Sequence, residues 1–285
     1  MRILVTGSSG QLGLEINKIS TKYNYDWYFT SSNNFDISRL NKINSTLSKI
    51  NPNIIINCSA YTSVEKAEKD FLSANILNNE SVDLISKWAY NNNCKLIHIS
   101  TNFVFNGSSK LPIKEDCETD PVNIYGKTKL DGDLACVANN PNSIILRTSW
   151  LYSSYGNNFV KNIIKKIRNN KEINVVNDEY GSPTYALNLA NAIMKIINYK
   201  FWLPGIYNFT DDGDLSWYDF ACEIRNLTGI NYSINSISTK DYPSNVKRPI
   251  YSVLDKSKIT STYHIYPLPY REGLKKCIKI LMNEE

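Results

Sequence analysis

The chain contains no apolar run approaching the roughly 20 residues that a membrane-spanning helix requires. Its first ten residues, MRILVTGSSG, lead directly into an expected strand and turn, which leaves no room for a secretory signal peptide. We therefore predict a cytoplasmic protein without a membrane partner.

Other signatures are also missing. The six cysteines form no C-x-x-C pair, so we expect reduced, mostly buried thiols and no metal site. The two histidines, His98 in an expected strand and His264 in the tail, have no evident catalytic partner. The net charge of +5 is spread along the chain without a basic cluster, which argues against a nucleic-acid partner.

The first half of the chain alternates two kinds of segment. Short, almost wholly apolar runs at 2–6, 27–30, 53–57, 95–100 and 143–149 are typical of strands buried on both faces of a parallel sheet. Amphipathic segments near 11–23, 38–50, 72–91 and 126–138 separate them. This alternation predicts an α/β protein with a Rossmann-type, doubly wound parallel sheet.

The pattern loosens after residue 150. We assign residues 1–150 to a dinucleotide-binding domain, to which a strand and a helix from about 173–198 return. Residues 151–172 and 199–285 are expected to form a smaller substrate-binding lobe that closes over the sheet.

Gly7, Gly10 and Gly13 follow the first strand and open a helix. Glycine at such a turn lets the backbone approach a pyrophosphate, whose charge the helix N-terminus stabilises. The spacing G-x-x-G-x-x-G departs by one residue from the usual dinucleotide fingerprint, G-x-G-x-x-G. It still predicts a bound dinucleotide.

The end of the second strand bears on which dinucleotide is used. The chain offers Ser31, Ser32 and two asparagines there, and no carboxylate before Asp36. A carboxylate at this point selects NAD through the ribose hydroxyls, and an arginine accommodates the 2′-phosphate of NADP. With neither present, we expect both NADPH and NADH to bind, NADPH slightly better, with Ser31 facing the ribose.

A hydroxyl, a phenol and an ammonium occur in order near the middle of the chain. Thr101 ends the fourth strand, at the sheet edge where doubly wound folds bind ligands. Tyr125 and Lys129 follow, four residues apart, so a helix places them on one face. We expect the cationic Lys129 to lower the pKa of Tyr125 toward neutrality.

These residues resemble the catalytic Ser/Thr, Tyr and Lys of the extended short-chain dehydrogenase/reductase family. The chain is most similar to the dTDP-4-dehydrorhamnose reductases within it, through VTGSSGQLG, NIIINCSAYTSVEKAE, STNFVFNG, PVNIYGKTKLDGD, ILRTSWLYSSYGNNFV, NDEYGSPTY and RPIYSVLD. It departs from them at Asn102 and Phe103, where STDYVF is usual, and at Glu65, where Asp is common. The change at Asn102 leaves the identity of the sugar open.

The resemblance implies NAD(P)H-dependent reduction of the C4 ketone of a dTDP-sugar, with Tyr125 as general acid and Lys129 also holding the nicotinamide ribose. It implies a cofactor site made of Gly7, Gly10, Gln11, Leu12, Gly13, Ser31, Asp36, Ile37, Ala60, Tyr61, Thr62, Tyr125 and Lys129. The residues implied at the substrate are Thr101, Asn102, Trp150 and Arg248. Mg²⁺ accompanies some reductases of the family, but no ligand set here predicts it.

Two alternatives stay open from the sequence. The protein could reduce a related 4-keto-6-deoxy nucleotide-sugar. It could instead be a non-catalytic NADP-binding subunit, similar to the regulatory subunit of methionine adenosyltransferase, although Thr101, Tyr125 and Lys129 together argue against this. A homodimer is also left open.

Overall fold

The structure is a computed structural model that describes residues 1–244 and 246–283. Asn245 and the last two residues, which belong to the predicted lobe, lie outside the described residues. Within these ranges, the helices are too short or too polar to cross a lipid bilayer.

The strands and helices follow the predicted alternation. The strands in chain order are β1 (Arg2–Thr6), β2 (Asp26–Phe29), β3 (Ile54–Asn57), β4 (Lys95–Thr101), β5 (Ile144–Thr148), β6 (Leu151–Tyr152), β7 (Asn174–Val176), β8 (Tyr180–Gly181), β9 (Thr184–Tyr185), β10 (Gly205–Asn208), β11 (Leu215–Ser216) and β12 (Asn235–Ile237). The helices are α1 (Gln11–Ser20), α2 (Leu40–Ile50), α3 (Val64–Ala67), α4 (Phe71–Asn75), α5 (Ser81–Asn91), α6 (Ile124–Asn139), α7 (Phe159–Arg168), α8 (Ala186–Asn198), α9 (Trp217–Thr228), α10 (Ser257–Tyr263) and α11 (Tyr270–Asn283). A π-helical segment, Ile76–Glu80, joins α4 to α5.

Six parallel strands form the central sheet in the order β10-β5-β4-β3-β1-β2. The predicted doubly wound parallel sheet is therefore confirmed. From β1 the chain passes to β2 on one side and then crosses to β3 on the other. The strand order thus reverses between β1 and β3, and a crevice at such a point is where ligands bind in open α/β sheets.

Apolar residues on both faces of the sheet explain the nearly continuous apolar runs. In β1, Ile3 and Val5 pack in one core with α1 and α8, whereas Leu4 packs in a second core with α2 and α5. Successive side chains of a strand point to opposite faces, so each face needs its own set of apolar positions.

A third core lies between α7, α9 and α11, helices from the part of the chain that was predicted to form the lobe. In α7, four buried isoleucine and valine side chains, Val160, Ile163, Ile164 and Ile167, form the face that packs there. The basic residues of the helix are left on its other side, as expected for an amphipathic surface helix.

The predicted return of the segment near 173–198 to the sheet is only partly correct. Helix α8 does pack against α1. Strand β7, however, pairs with β12 outside the central sheet, and β10, from the segment assigned to the lobe, pairs with β5 at the sheet edge. Short apolar runs predict a strand but do not identify its partner, which long-range packing decides.

Candidate active site

A cavity of about 1260 Å³ opens at the carboxyl edge of the sheet and extends toward the lobe. Most of the predicted site residues line it, namely Gly7, Gly10, Gln11, Leu12, Gly13, Asp36, Ile37, Ala60, Thr62, Thr101, Asn102, Tyr125, Lys129, Trp150 and Arg248. Ser31 and Tyr61 are not among the lining residues.

The glycine turn between β1 and α1 is packed too tightly for side chains. Gly7 has a φ of +65°, and a Cβ there would lie 2.8 Å from the backbone nitrogen of Ser59. A Cβ on Gly13 would lie 2.5 Å from the carbonyl oxygen of Gly7. The turn thus exposes backbone to the cavity at the start of α1, where no side chain caps the helix. This cradle fits a diphosphate.

Ser31, predicted to face the ribose, is not among the residues that line the cavity. The backbone N–H of Ser31 donates to Oδ1 of Asn34 at 2.7 Å, which holds Ser31 in a local turn, and Ser32 lines the cavity instead. Strand β2 ends at Phe29, and the conformation of the turn after it decides which of the two serine side chains faces the cavity.

Asp36 remains a carboxylate at this end of the cavity. The hydroxyl of Ser38 donates to its Oδ1 at 2.7 Å, and this bond lowers the pKa of Asp36. Arg39 lies 3.6 Å from its other oxygen.

The backbone of Tyr61 is held by two hydrogen bonds with the side chain of Asn78. Its N–H donates to Oδ1 of Asn78 at 2.8 Å, and its carbonyl accepts from Nδ2 of Asn78 at 3.1 Å. The same amide nitrogen lies 3.1 Å from Oγ1 of Thr128, so Asn78 ties the loop of Ala60 and Thr62 to α6. Sequence reasoning missed this role of Asn78.

Tyr125 sits in the first turn of α6, at a fixed point of the cavity wall. The side chain of Asn123 caps the helix by accepting from the N–H of Gly126 at 2.8 Å. The carboxylate of Glu68 accepts from the N–H of Ile124 at 2.8 Å. Both groups satisfy helix N–H donors that would otherwise lack partners, which fixes the start of the helix.

Lys129 is 1 % exposed and held on two sides. Its Nζ donates to the carbonyl of Ile99 at 2.8 Å and lies 3.2 Å from Nε2 of His98. Burial lowers the pKa of Lys129 to about 8, and the charge of Asp133 opposes this effect. The expectation that His98 has no partner in the site is therefore wrong, because α6 crosses β4 at this residue.

The expected lowering of the pKa of Tyr125 is also wrong. Removal from water raises the pKa of the phenol, while a hydrogen bond to the side chain of Thr101 opposes the rise and Asp133 adds to it. The Nζ of Lys129 is engaged by Ile99 and His98, so its charge does not dominate at the phenol. Tyr125 is thus protonated at neutral pH, as a proton donor must be.

Thr101 and Asn102 connect the site to the C-terminal segment. Oγ1 of Thr101 donates to Oδ1 of Asn102 at 3.3 Å, and Nδ2 of Asn102 donates to the carbonyl of Ser252 at 3.3 Å. Asn102 is 1 % exposed. An amide can make both bonds at once, whereas a carboxylate could only accept.

Trp150 lies between the sheet and the lobe. Its φ is +45°, and its ring stacks on Trp217 with the centroids 3.5 Å apart. A Cβ on Gly181 would lie 2.6 Å from the indole, so that glycine provides the space for the ring. The indole is therefore fixed as a flat wall of the cavity.

Arg248 reaches the cavity from the C-terminal segment, and its guanidinium forms an ion pair with Glu65 of α3. It also lies over the ring of Tyr242, 5.7 Å from the centroid. The pair joins the sheet domain to the lobe across the cavity, so an arriving anion would compete with Glu65 for Arg248.

Sequence reasoning missed several further residues that line the lobe end of the cavity, namely Asn158, Asn162, Lys165, Lys166, Lys171, Glu179 and Trp217. Asn158 also donates to Oε1 of Gln11 at 2.9 Å, which links the start of α7 to the glycine turn. The lysines of the amphipathic helix α7 were the feature of the sequence from which some of these lining residues could have been predicted. Among residues 1–244 and 246–283, no three His, Cys, Asp or Glu side chains are grouped so that they could hold a metal ion.

A parallel doubly wound sheet, a glycine turn at its first strand and a Thr, Tyr and Lys set at its carboxyl edge together define an oxidoreductase of the extended short-chain dehydrogenase/reductase class. The chain belongs to the family described as RmlD substrate binding domain, whose match covers residues 1–283. The family resemblance inferred from the motifs is confirmed.

Individual relatives are similar to the chain over nearly their whole length. The chain is 36% identical to the dTDP-4-dehydrorhamnose reductase of Aggregatibacter actinomycetemcomitans, over 96% of this chain and 97% of the relative. The crystal structure of such a reductase from Clostridium acetobutylicum is 38% identical, with a TM-score of 0.95 over 99% of this chain and all of the other. The enzyme from Bacillus anthracis, solved in complex with NADP, is 32% identical, with a TM-score of 0.93 over 98% and 99%.

Proposed function

We propose that the protein reduces the C4 ketone of dTDP-4-dehydro-L-rhamnose to give dTDP-L-rhamnose, using NADPH or NADH. The observation that carries this proposal is the placement of Thr101, Tyr125 and Lys129 on the wall of one cavity, beside a glycine turn that fits a diphosphate. The relatives named for this reaction match the chain from end to end.

When bound, the reduced dinucleotide supplies the hydride that adds to C4 of the sugar. Tyr125 then gives its phenolic proton to the oxygen that was the ketone, so the product is the alcohol and the phenol becomes a phenolate. Thr101 orients the carbonyl oxygen by donating to it the proton that its hydroxyl otherwise donates to Asn102. An ammonium at Lys129 favours the phenolate through its charge.

The same cavity has groups for the other parts of both ligands. The backbone around Gly7, Gly10 and Gly13 would take the diphosphate of the dinucleotide, and Asp36 and Ile37 its adenine end. Trp150 and Asn102 would border the sugar. Arg248 would bind the diphosphate of the nucleotide-sugar through a forked hydrogen bond after leaving Glu65.

The second candidate substrate is a related 4-keto-6-deoxy nucleotide-sugar. Asn102 favours it, since the amide presents no charge to the sugar and is already bonded to Thr101 and Ser252. A non-catalytic NADP-binding role is the remaining alternative.

The proposal is tested with purified protein, NADPH and dTDP-4-dehydro-L-rhamnose. NADPH oxidation should be stoichiometric with formation of a product identical to dTDP-L-rhamnose by NMR. A faster reaction with another 4-keto nucleotide-sugar would identify that sugar as the substrate, and the proposed type of reaction would still hold. NADPH binding without oxidation of any such sugar would favour the regulatory alternative.

The pocket for the ribose should discriminate weakly between the two cofactors. Uncharged groups at the end of β2 neither repel nor clamp a 2′-phosphate, so kcat/KM for NADPH and NADH should differ by about tenfold at most, a free-energy difference of about 1.4 kcal/mol. We expect Ser32→Asp to shift the ratio toward NADH, because Ser32 lines the cavity.

Ser31→Asp is the matched control, since Ser31 does not line the cavity. It should leave the ratio within about twofold. A larger shift from Ser31→Asp than from Ser32→Asp would mean that the turn after β2 is misplaced by one residue.

Removal of the Arg248 guanidinium should weaken substrate binding. Charge-assisted hydrogen bonds contribute about 1.5–3 kcal/mol, so Arg248→Met should raise KM for the nucleotide-sugar by about tenfold or more while KM for NADPH stays nearly constant. Arg271→Met is the control, because Arg271 pairs with Glu223 on the surface. Equal effects of the two substitutions would exclude a direct contact of Arg248 with the substrate.

A further inference from the structure

A row of three buried polar side chains crosses the central sheet beneath Lys129. Thr6, Asn57 and His98 lie on the neighbouring strands β1, β3 and β4, and the strand register pairs Thr6 with Asn57 and Asn57 with His98. None of the three is more than 1 % exposed. The positions just before these three in their strands are buried apolar residues, Val5, Ile56 and Ile97, so the row begins where the apolar core ends.

The row forms a continuous hydrogen-bond chain that ends at Lys129. Oγ1 of Thr6 lies 2.6 Å from Oδ1 of Asn57, and Nδ2 of Asn57 lies 3.1 Å from Nδ1 of His98. Nε2 of His98 lies 3.2 Å from Nζ of Lys129. A buried polar group without a partner is costly, and here each side chain is the partner of the next.

The chain of hydrogen bonds works in either direction. As the amide of Asn57 is placed in the structure, Thr6 donates to Oδ1 of Asn57, Nδ2 of Asn57 donates to Nδ1 of His98, and the Nε2–H of His98 faces a neutral amine at Lys129. With the amide of Asn57 turned over and the imidazole in its other tautomer, every bond reverses, and an ammonium at Lys129 donates to Nε2. Hydrogen bonds from an ionised donor are roughly twice as strong as neutral ones, so the row favours the ammonium.

Asp133 is the charged group that favours an ammonium at Lys129, and its Oδ1 also lies 3.9 Å from Nε2 of His98. On α6, Asp133 and Cys136 face the amine, and Asp133 opposes the effect of burial on its pKa. The carboxylate of Asp133 is shared with Arg147 of β5, whose Nε lies 3.2 Å away. Burial keeps the pKa of His98 well below its usual value, so the imidazole is neutral and able to accept.

We propose that Thr6, Asn57 and His98 hold Lys129 in place as an ammonium ion, with His98 as the positioning residue in direct contact. This rests on the proposed function, in which that ammonium serves Tyr125 during proton transfer. The row thus extends the functional site across three strands, to residues that do not line the cavity.

The direct test is an NMR titration of protein labelled with ¹³C at the lysine ε-carbons, with the Lys129 signal assigned from its loss in Lys129→Met. His98→Phe keeps a ring but cannot accept, so the pKa of Lys129 should fall by about one unit, a tenfold weaker hold on the proton. His98→Gln offers an amide that donates and accepts. In this variant the pKa of Lys129 should stay close to its value in the unmodified protein.

Two further variants separate this role from general loss of stability. Ile145 is the register partner of His98 on β5 and is fully buried, so Ile145→Ala should lower stability without moving the pKa of Lys129. Thr6→Val removes the far end of the row with little change of volume and should shift the pKa in the same direction as His98→Phe, but less. An unchanged pKa in both His98→Phe and Thr6→Val would overturn the proposal.

The kinetic consequence is a shifted pH profile. With the nucleotide-sugar as substrate, the fall of kcat at high pH should move to lower pH by about one unit in His98→Phe and stay in place in Ile145→Ala. A profile that moves equally in both variants would contradict the proposal. The NMR titration needs no substrate. It therefore tests the proposed role of the row even if the protein reduces none of the sugars tested.

Discussion

Tyr125→Phe should bind NADPH as tightly as the unmodified protein and lose nearly all turnover. The substitution removes one oxygen from a side chain whose ring also packs edge-on against Phe103, with centroids 5.6 Å apart. The ring and the start of α6 should therefore stay in place. Loss of a general acid typically slows a reaction by roughly 10²–10⁴-fold, and kcat should fall within that range.

The measurement combines kcat with the dissociation constant of NADPH from fluorescence titration. Tyr90→Phe, on the exposed side of α5, makes the same chemical change away from the cavity and should leave both values unchanged. Retention of more than about a tenth of kcat in Tyr125→Phe would assign the proton to another donor.

The second large effect is expected for Lys129→Met, which should impair both cofactor binding and turnover. The ammonium is assigned to the nicotinamide ribose and to the phenolate, so KM for NADPH should rise about tenfold and kcat should fall by roughly 10²-fold or more. Asp133 keeps Arg147 as its partner, so the fold should survive the loss of the buried charge.

The pH dependence of the unmodified protein follows from the same residue. The proposed reaction requires protons on both Tyr125 and Lys129. Because the pKa of Lys129 is lowered to about 8 and that of Tyr125 is raised, kcat should be level near neutrality and fall as the pH rises through about 8. Lys129→Met should lose this limb, whereas Lys127→Met, exposed on the same helix, should keep it. An unchanged profile in Lys129→Met would separate the limb from the amine.

The fold was predictable wherever local patterns carry the information. The apolar runs of β1, β3, β4 and β5 are buried on both faces, and this alone indicates a parallel sheet. The glycine turn, the threonine at the end of β4 and the tyrosine–lysine pair are likewise visible in sequence, because each depends on spacing within one element.

The rest depends on contacts between distant segments. Glu15 of α1 is fully buried, and Ser153, 138 residues further along the chain, donates to its Oε1 at 2.6 Å. The hydrogen bond from Nδ2 of Asn57 to Nδ1 of His98 joins residues 41 positions apart in the chain. Spacing along the chain gives no sign of either contact.

Even within the site, one residue of register decides the outcome. Ser31 and Ser32 are chemically equal, and only the turn after β2 determines that Ser32 lines the cavity. The direction of the pKa shift at Tyr125 was similarly out of reach, because it depends on how far the phenol is removed from water and on where the Lys129 amine is held.

The most direct test of the central claim is transfer of label to the sugar. NADPH carrying deuterium at both C4 positions of the nicotinamide is incubated with the protein and dTDP-4-dehydro-L-rhamnose, and the product is examined by mass spectrometry and proton NMR. The proposed reaction predicts one deuterium in the sugar, located at C4, and none when Tyr125→Phe replaces the unmodified protein over the same time. Oxidation of the labelled cofactor without deuterium at C4 would contradict hydride transfer to that carbon.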